Sequence, residues 1–242
     1  MKIKILGIAF DNLTLQEAVS AGMEALRGER SCYAVTPNPE IIKLAQENPA
    51  LAQAIEQAAL VLPDGIGVVK AAKILKTPLK EKVPGIDFAA GLMASMAETG
   101  GSLYLMGAKP GVAEAAAEKL TQRYAGLNIC GWRDGYFSEE ESSAVAAEIR
   151  RCEADVCFVC LGSPRQELWM SRYGEETSAK LLVGLGGSMD VFSGQLKRAP
   201  RWMQRAGLEW LYRLIKEPQR LGRMMKIPGV ILQAYAERSR KK

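Results

Sequence analysis

Five short clusters of polar side chains and glycines, each directly after an apolar run, are where this sequence could do chemistry. In Thr36-Pro37-Asn38-Pro39-Glu40 two prolines fix the backbone, and Thr36 and Asn38 offer short hydrogen-bonding side chains. The same two residue types also cap helices well. In Pro63-Asp64-Gly65-Ile66-Gly67 the glycines let backbone approach a ligand closely. Asp64 could there accept a proton from an attacking hydroxyl, or simply cap a helix. Met106-Gly107-Ala108-Lys109-Pro110-Gly111 reads as a turn opening a helix, whose free N–H groups can hold phosphate. It is neither a full G-x-G-x-x-G nor a P-loop, and a plain turn explains it as well. Gly162-Ser163-Pro164-Arg165-Gln166-Glu167 groups a guanidinium, an amide and a carboxylate, which could also be a solvated first helical turn. Ser188-Met189-Asp190 is a similar cluster, in which a turn cap explains Asp190 as well.

Composition narrows the chemistry. The chain has no histidine, so Ser-His-Asp and Cys-His catalysis are excluded. A general base must be a carboxylate or, less often, Lys, Tyr or Cys. No D-x-D occurs, so nothing recommends a metal-bridged diphosphate site, and neither a metal nor a cofactor is expected. A diphosphate would then be met by backbone dipoles, Lys or Arg. The five cysteines (Cys32, Cys130, Cys152, Cys157, Cys160) lie in apolar surroundings and read as reduced thiols of a cytoplasmic protein. Cys157 and Cys160 share one strand-like run, where an offset of three points them to opposite faces.

The elements that must position these clusters alternate in type. Strand patterns at residues 3–9, 31–35, 59–62, 102–106, 127–131, 155–161 and 180–185 alternate with helical patterns. The helical patterns cover residues 14–27, 40–47, 49–59, a segment starting near Gly65, 86–98, 112–124, 139–151 and 165–173. Thr14 and Glu17 fit a capping box. Such alternation implies an α/β fold: a Rossmann-like, mostly parallel sheet with helices on both faces. In such a sheet ligands gather beyond the carboxyl ends of the strands, where the polar clusters fall. From Pro200 onward the pattern becomes helical only. The expected division is an α/β catalytic domain at 1–196 and a basic helical appendage at 197–242.

Charge follows that division. Residues 197–242 carry 13 Lys/Arg against 3 Asp/Glu, whereas the preceding 196 residues carry 19 against 24. A basic tail on an acidic body suggests anionic lipid, a diphosphate or nucleic acid as partner. No run approaches the roughly 18 apolar residues of a membrane span. The start, MKIKILGIAF, reads as a first strand and not as a signal peptide.

The order and spacing of the clusters carry a resemblance that none carries alone. The stretches are TPNPE (36–40), LPDGIGVV (62–69), KVPGIDF (82–88), YLMGAKPGVAE (104–114), GWRDGYF (131–137), LGSPRQELW (161–169), GGSMDVFSGQLKRAP (186–200) and GLEWLYRLIKEPQRLGR (207–223). With these the chain resembles the WecG/TagA/CpsF glycosyltransferase family over nearly its whole length. The resemblance implies an inverting, metal-independent transfer of N-acetylmannosamine, or a related sugar, from a UDP-sugar donor. The acceptor implied is undecaprenyl-diphosphate-linked N-acetylglucosamine, for wall teichoic acid or another surface polysaccharide. It also implies peripheral attachment at the inner face of the plasma membrane through the appendage. A homo-oligomer is compatible with it.

By that resemblance Asp64 is the expected general base and Thr36 lines the catalytic pocket. Asn38 and Gln166 position sugar or acceptor. Gly107, Lys109, Tyr136 and Asp190 lie on the nucleotide side. Arg213, Arg220 and Arg223 meet diphosphates, and the appendage completes the active site. The charge split adds the separate expectation that the appendage closes only at a membrane that carries acceptor. Two positions depart from the family pattern. Lys82 stands where arginine is usual, which keeps the charge but loses the planar fork. Met189 replaces an aromatic residue. Two other readings compete with this one. A Rossmann-like oxidoreductase would need a dinucleotide loop after the first strand, and residues 7–14 have a single glycine. A nucleic-acid binder would use the basic tail, but no recognised binding signature accompanies it, so no nucleic-acid partner is expected.

Overall fold

The computed structural model describes residues 1–216, 218, 221–224 and 226–240. The first expected strand is in fact a hairpin. Strands β1 (Lys2–Ile5) and β2 (Ile8–Asp11) pair antiparallel in a sheet of their own. Leu6 and Gly7 turn the chain with φ of 49° and 98°, the two positive values that a tight two-residue hairpin loop needs. Leucine gives no turn signal, so the run read as one strand. Alternation does the rest: Ile3, Ile5, Ile8 and Phe10 face the core, and Lys2 and Lys4 face water.

The remainder alternates as the periodicity predicts. Helix α1 (Leu15–Ala25) begins at Thr14, whose side chain accepts from the Glu17 N–H while the Glu17 carboxylate accepts from the Thr14 N–H. That reciprocal pair is the expected capping box. Next come β3 (Cys32–Val35), α2 (Pro39–Glu47), α3 (Pro49–Glu56), β4 (Leu60–Val61), α4 (Ile66–Ile74) and α5 (Gly85–Thr99). The second half runs β5 (Ser102–Gly107), α6 (Val112–Arg123), β6 (Asn128–Arg133), α7 (Ser142–Arg151), β7 (Val156–Cys160), α8 (Arg165–Tyr173), β8 (Leu181–Gly184) and α9 (Ser188–Phe192).

Six strands form one parallel sheet in the order β4-β3-β8-β7-β5-β6. Its interior strands are apolar on both faces, as a sheet covered on both sides requires: all five residues of β7 and all four of β8 are buried. One core holds the hairpin, α2, α3, α4, α7 and α8, and the other holds α1, α5, α6 and α9. Cys157 belongs to the first and Cys160 to the second, so the two thiols do point to opposite faces. All five cysteines are free.

Beyond Pro200 the described residues form helices alone: α10 (Arg201–Arg205), α11 (Glu209–Lys216), α12 (Leu221–Met224) and α13 (Lys226–Arg240). This appendage is seated on the body. Helix α13 packs on α4 and α2, burying Val230 and Ala234 completely, and Lys43 of α2 donates to Gln233. Among the described residues no helix is long and apolar enough to cross a membrane. Because Val230 is an apolar pin, Val230→Asp buries an unpaired charge and should release α13. Hydrogen exchange should rise sharply across residues 226–240 while amides of β7 and β8 keep their protection.

Candidate functional site

Loops at the carboxyl end of four neighbouring strands of the sheet converge on one place. The residues after β3, β4, β7 and β8 enclose a cavity of about 240 Å³, roofed by the appendage. This is the crevice beyond the carboxyl ends of parallel strands in which ligands are expected. Body residues Thr36, Asn38, Asp64, Lys82, Ser163 and Gln166 line it, and Glu209, Trp210, Arg213 and Ile227 close it from the appendage.

Asp64 follows β4, an edge strand, yet its side chain faces the cavity. Its own N–H donates to the Pro37 carbonyl, which ties the two loops together. Gly65 follows with φ 88°, a conformation that suits glycine and starts α4 immediately after the carboxylate. Burial pushes the Asp64 carboxyl up from 3.8 to about 6. The Gly85 N–H, 3.4 Å from Oδ2, opposes this, as do the Arg213 guanidinium and the Lys82 ammonium, while the Glu209 carboxylate adds to it. A carboxylate with this affinity for protons is matched to proton abstraction near neutral pH.

The other residues singled out in the sequence fall into two groups. Thr36 is buried against Gly85, and its hydroxyl donates to the Gly184 carbonyl at 3.3 Å. Asn38 is both a cap and a cavity wall: its Oδ1 accepts from the Ile41 N–H at 3.0 Å. Gln166 bridges two loops, since its Oε1 accepts from the Gly186 N–H at 2.9 Å and its Nε2 donates to Glu167 at 2.8 Å. Lys82 donates to the Gln204 carbonyl of the appendage at 3.1 Å. With Asp64 and Arg213, these form one constellation.

Gly107, Lys109, Tyr136 and Asp190 do not line this cavity. They lie at the same end of the sheet, after β5, β6 and β8. Gly107 has φ 125°, and a Cβ there would sit 2.4 Å from the Cys160 carbonyl oxygen, so only glycine lets β5 and β7 end this close. Lys109 and Tyr136 are exposed. The loop of Tyr136 is tied to the cavity wall, because Arg165 at the start of α8 donates to the carbonyls of Gly135 and Phe137. Asp190 lies in α9, where its carbonyl accepts from the Leu196 N–H. Arg220 lies outside the described residues, as does the side chain of Arg223.

Several site residues were not singled out in the sequence. Glu209 and Trp210 come from α11, and Ser163 from the turn before α8. The Ser163 hydroxyl and Glu167 Oε2 are both buried without a well-formed hydrogen bond. The hydroxyl is still near enough to favour the ionised form of Glu167, whose pKa burial nonetheless raises. A second cavity, about 330 Å³, shares Gly187 and Arg213 with the first and adds Lys197, Arg198 and Lys216 with no acidic side chain. Ser163 falls within the Gly162–Glu167 cluster, but local sequence gave no hint of Glu209 and Trp210, because α11 reaches the site only through the tertiary fold.

This crevice, with a carboxylate set among cations, is that of a group-transferring α/β enzyme. Residues 3–242 match the Glycosyl transferase WecG/TagA/CpsF family, so the chain belongs to that family and is a glycosyltransferase. It is 34% identical over 242 residues to the N-acetylglucosaminyldiphosphoundecaprenol N-acetyl-beta-D-mannosaminyltransferase of Staphylococcus aureus strain MRSA252, covering 99% of this chain and 94% of that protein. The proteins of the same name from strains MW2 and NCTC 8325 are similar to the same extent, 34% identical with 99% and 94% covered.

The raised Asp64 pKa has a stability consequence. Its carboxyl ionises near 3.8 in the unfolded chain and near 6 in the fold, so above pH 6 the ionised form costs the folded state. At about 1.4 kcal/mol per unit of difference, Asp64→Asn should stabilise the protein by about 1–3 kcal/mol at pH 8. The gain should shrink as the pH falls from 6 to 4, which urea unfolding at several pH values would measure.

Proposed function

We propose that this glycosyltransferase moves N-acetylmannosamine, or a related sugar, from UDP to undecaprenyl-diphosphate-linked N-acetylglucosamine, in wall teichoic acid or other surface-glycan synthesis. The reaction inverts the anomeric centre and needs no metal. The names of the Staphylococcus relatives support the sugar and the acceptor. The observation that carries the mechanism is Asp64 in a half-dry cavity, with Lys82 and Arg213 on its cationic side.

In this mechanism Asp64 takes the proton of the acceptor 4-hydroxyl as that oxygen attacks the donor sugar C1. The bond from C1 to the diphosphate oxygen breaks on the opposite face, and its electron pair leaves with UDP. A base titrating near 6 is ionised at neutral pH and still basic enough to draw the proton in the transition state. Thr36, Asn38 and Gln166 orient the sugars. Gly107, Lys109, Tyr136 and Asp190 take the nucleotide side. Negative charge on the diphosphates is met by Lys197, Arg213 and Lys216 around the second cavity. The family resemblance gives Arg220 and Arg223 the same task.

Attachment to the inner face of the membrane fits the appendage surface. Trp202, Ile215, Leu221, Leu232 and Tyr235 are exposed there among arginines and lysines. Apolar side chains interspersed with cations suit an interface with anionic lipid.

A panel of UDP-sugars with a short-chain polyprenyl-diphosphate acceptor tests the assignment. The N-acetylmannosamine donor should give the expected disaccharide by mass, with the same rate in EDTA. No product from any UDP-sugar would refute the proposal. Asp64→Asn should keep UDP binding but lose about 10²–10⁴-fold in turnover.

A further inference from the structure

We infer that Arg198 is a positioning residue for glycosyl transfer, pinning the first turn of α11 to α5 so that Glu209 and Arg213 stand beside Asp64. This rests on the reading of Asp64 as the base. Arg198 lies in the segment joining α9 to α10, outside either helix. Its two terminal nitrogens bond both oxygens of Asp87, Nη2 at 2.9 Å, while Nε donates to Glu209 Oε1 at 2.8 Å. One planar fork therefore joins a body carboxylate in the first turn of α5 to an appendage carboxylate in the first turn of α11. A lysine could not span both with fixed geometry. The side chains are partly shielded, with Arg198 20% exposed and Glu209 18%, so solvent competes weakly for the contact.

The consequence for the site follows from helical spacing. Glu209 and Arg213 are four residues apart and so share the face of α11 that closes the cavity. Fixing the first turn fixes both charges. Asp64 is faced by Gly85 N–H at the start of α5, by Lys82 from the preceding loop, by Glu209 and Arg213 from α11, and by Glu40 of α2 across the cavity. Gly85 belongs to the body helix α5, whereas Lys82 also leans on the appendage through the Gln204 carbonyl. The α11 groups, and the exclusion of water that α11 brings, depend on the fork.

Activity against pH decides the matter, in wild type, Arg198→Gln, Arg198→Lys, Asp87→Asn, Glu209→Gln and the double variant R198Q/D87N. Wild type should lose activity on acidification with a midpoint near 6. Releasing α11 hydrates Asp64, so R198Q and D87N should move that midpoint down toward the ordinary carboxylate range and lower kcat by up to about 10²-fold. Glu209→Gln removes the carboxylate that raises Asp64 and should move the midpoint the same way. R198K should fall between wild type and R198Q, and the double variant should be no worse than R198Q, because both changes break one contact. If R198Q does not fold, D87N and E209Q carry the test.

An unmoved midpoint in D87N and E209Q, with only less folded protein, overturns the inference. Failure of the underlying reading looks different: wild type would show no acidic limb and Asp64→Asn would stay active. In that case hydrogen exchange decides for the fork alone. Faster exchange across residues 209–216 in D87N supports it, and unchanged exchange overturns it.

Discussion

A single carboxylate must be dry enough to hold a proton and charged enough to be useful, and the rest of the molecule is arranged around that tension. Burial favours the protonated form of Asp64. The Gly85 N–H, Arg213 and Lys82 oppose that effect, and Glu209 adds to it. Body loops and appendage helices together wall the cavity that holds Asp64. A free-standing sheet with the same residue at the same strand end would leave the carboxylate in water, titrating in the ordinary range.

That arrangement explains why the charge division along the chain matters. The acidic body supplies Asp64, Lys82 and the anchoring Asp87, and the basic tail supplies Arg198 and Arg213. They meet at Arg198, where the tail's guanidinium is held by one carboxylate from each part. Lys197, Arg213 and Lys216 of the tail line the second cavity, where an anionic ligand would meet them. The appendage is thus part of the site wall as well as a surface, since Ile227 and Trp210 line the same cavity as Thr36.

Much of the sheet was legible in the sequence because its signals are local. Strands buried on both faces are continuous apolar runs, and Thr14 with Glu17 marks a helix start by chemistry alone. The hairpin was missed because its turn uses Leu6 in a left-handed conformation, where only Gly or Asn would have announced it. Asp64, Thr36, Asn38 and Gln166 were legible as strand-end clusters, and the fold brings them together. Asn38 shows that the capping and cavity-lining readings need not compete, since one side chain serves both. Arg198 and Glu209 were not legible. The contact from Arg198 to Asp87 spans 111 residues, and a salt bridge at that separation leaves no periodicity to read.

The hairpin that local signals hid sits beside the vulnerable border of the parallel sheet. Strand β4 ends the sheet on that side, and its Val61 N–H donates to Asp11 Oδ2 of the hairpin at 2.9 Å. A carboxylate occupies a donor to which a stranger's backbone would otherwise bind. An acidic side chain laid along an open border also repels further backbone carbonyls. The N-terminal hairpin thus covers part of the edge along which another strand could pair, on the border whose loop carries Asp64.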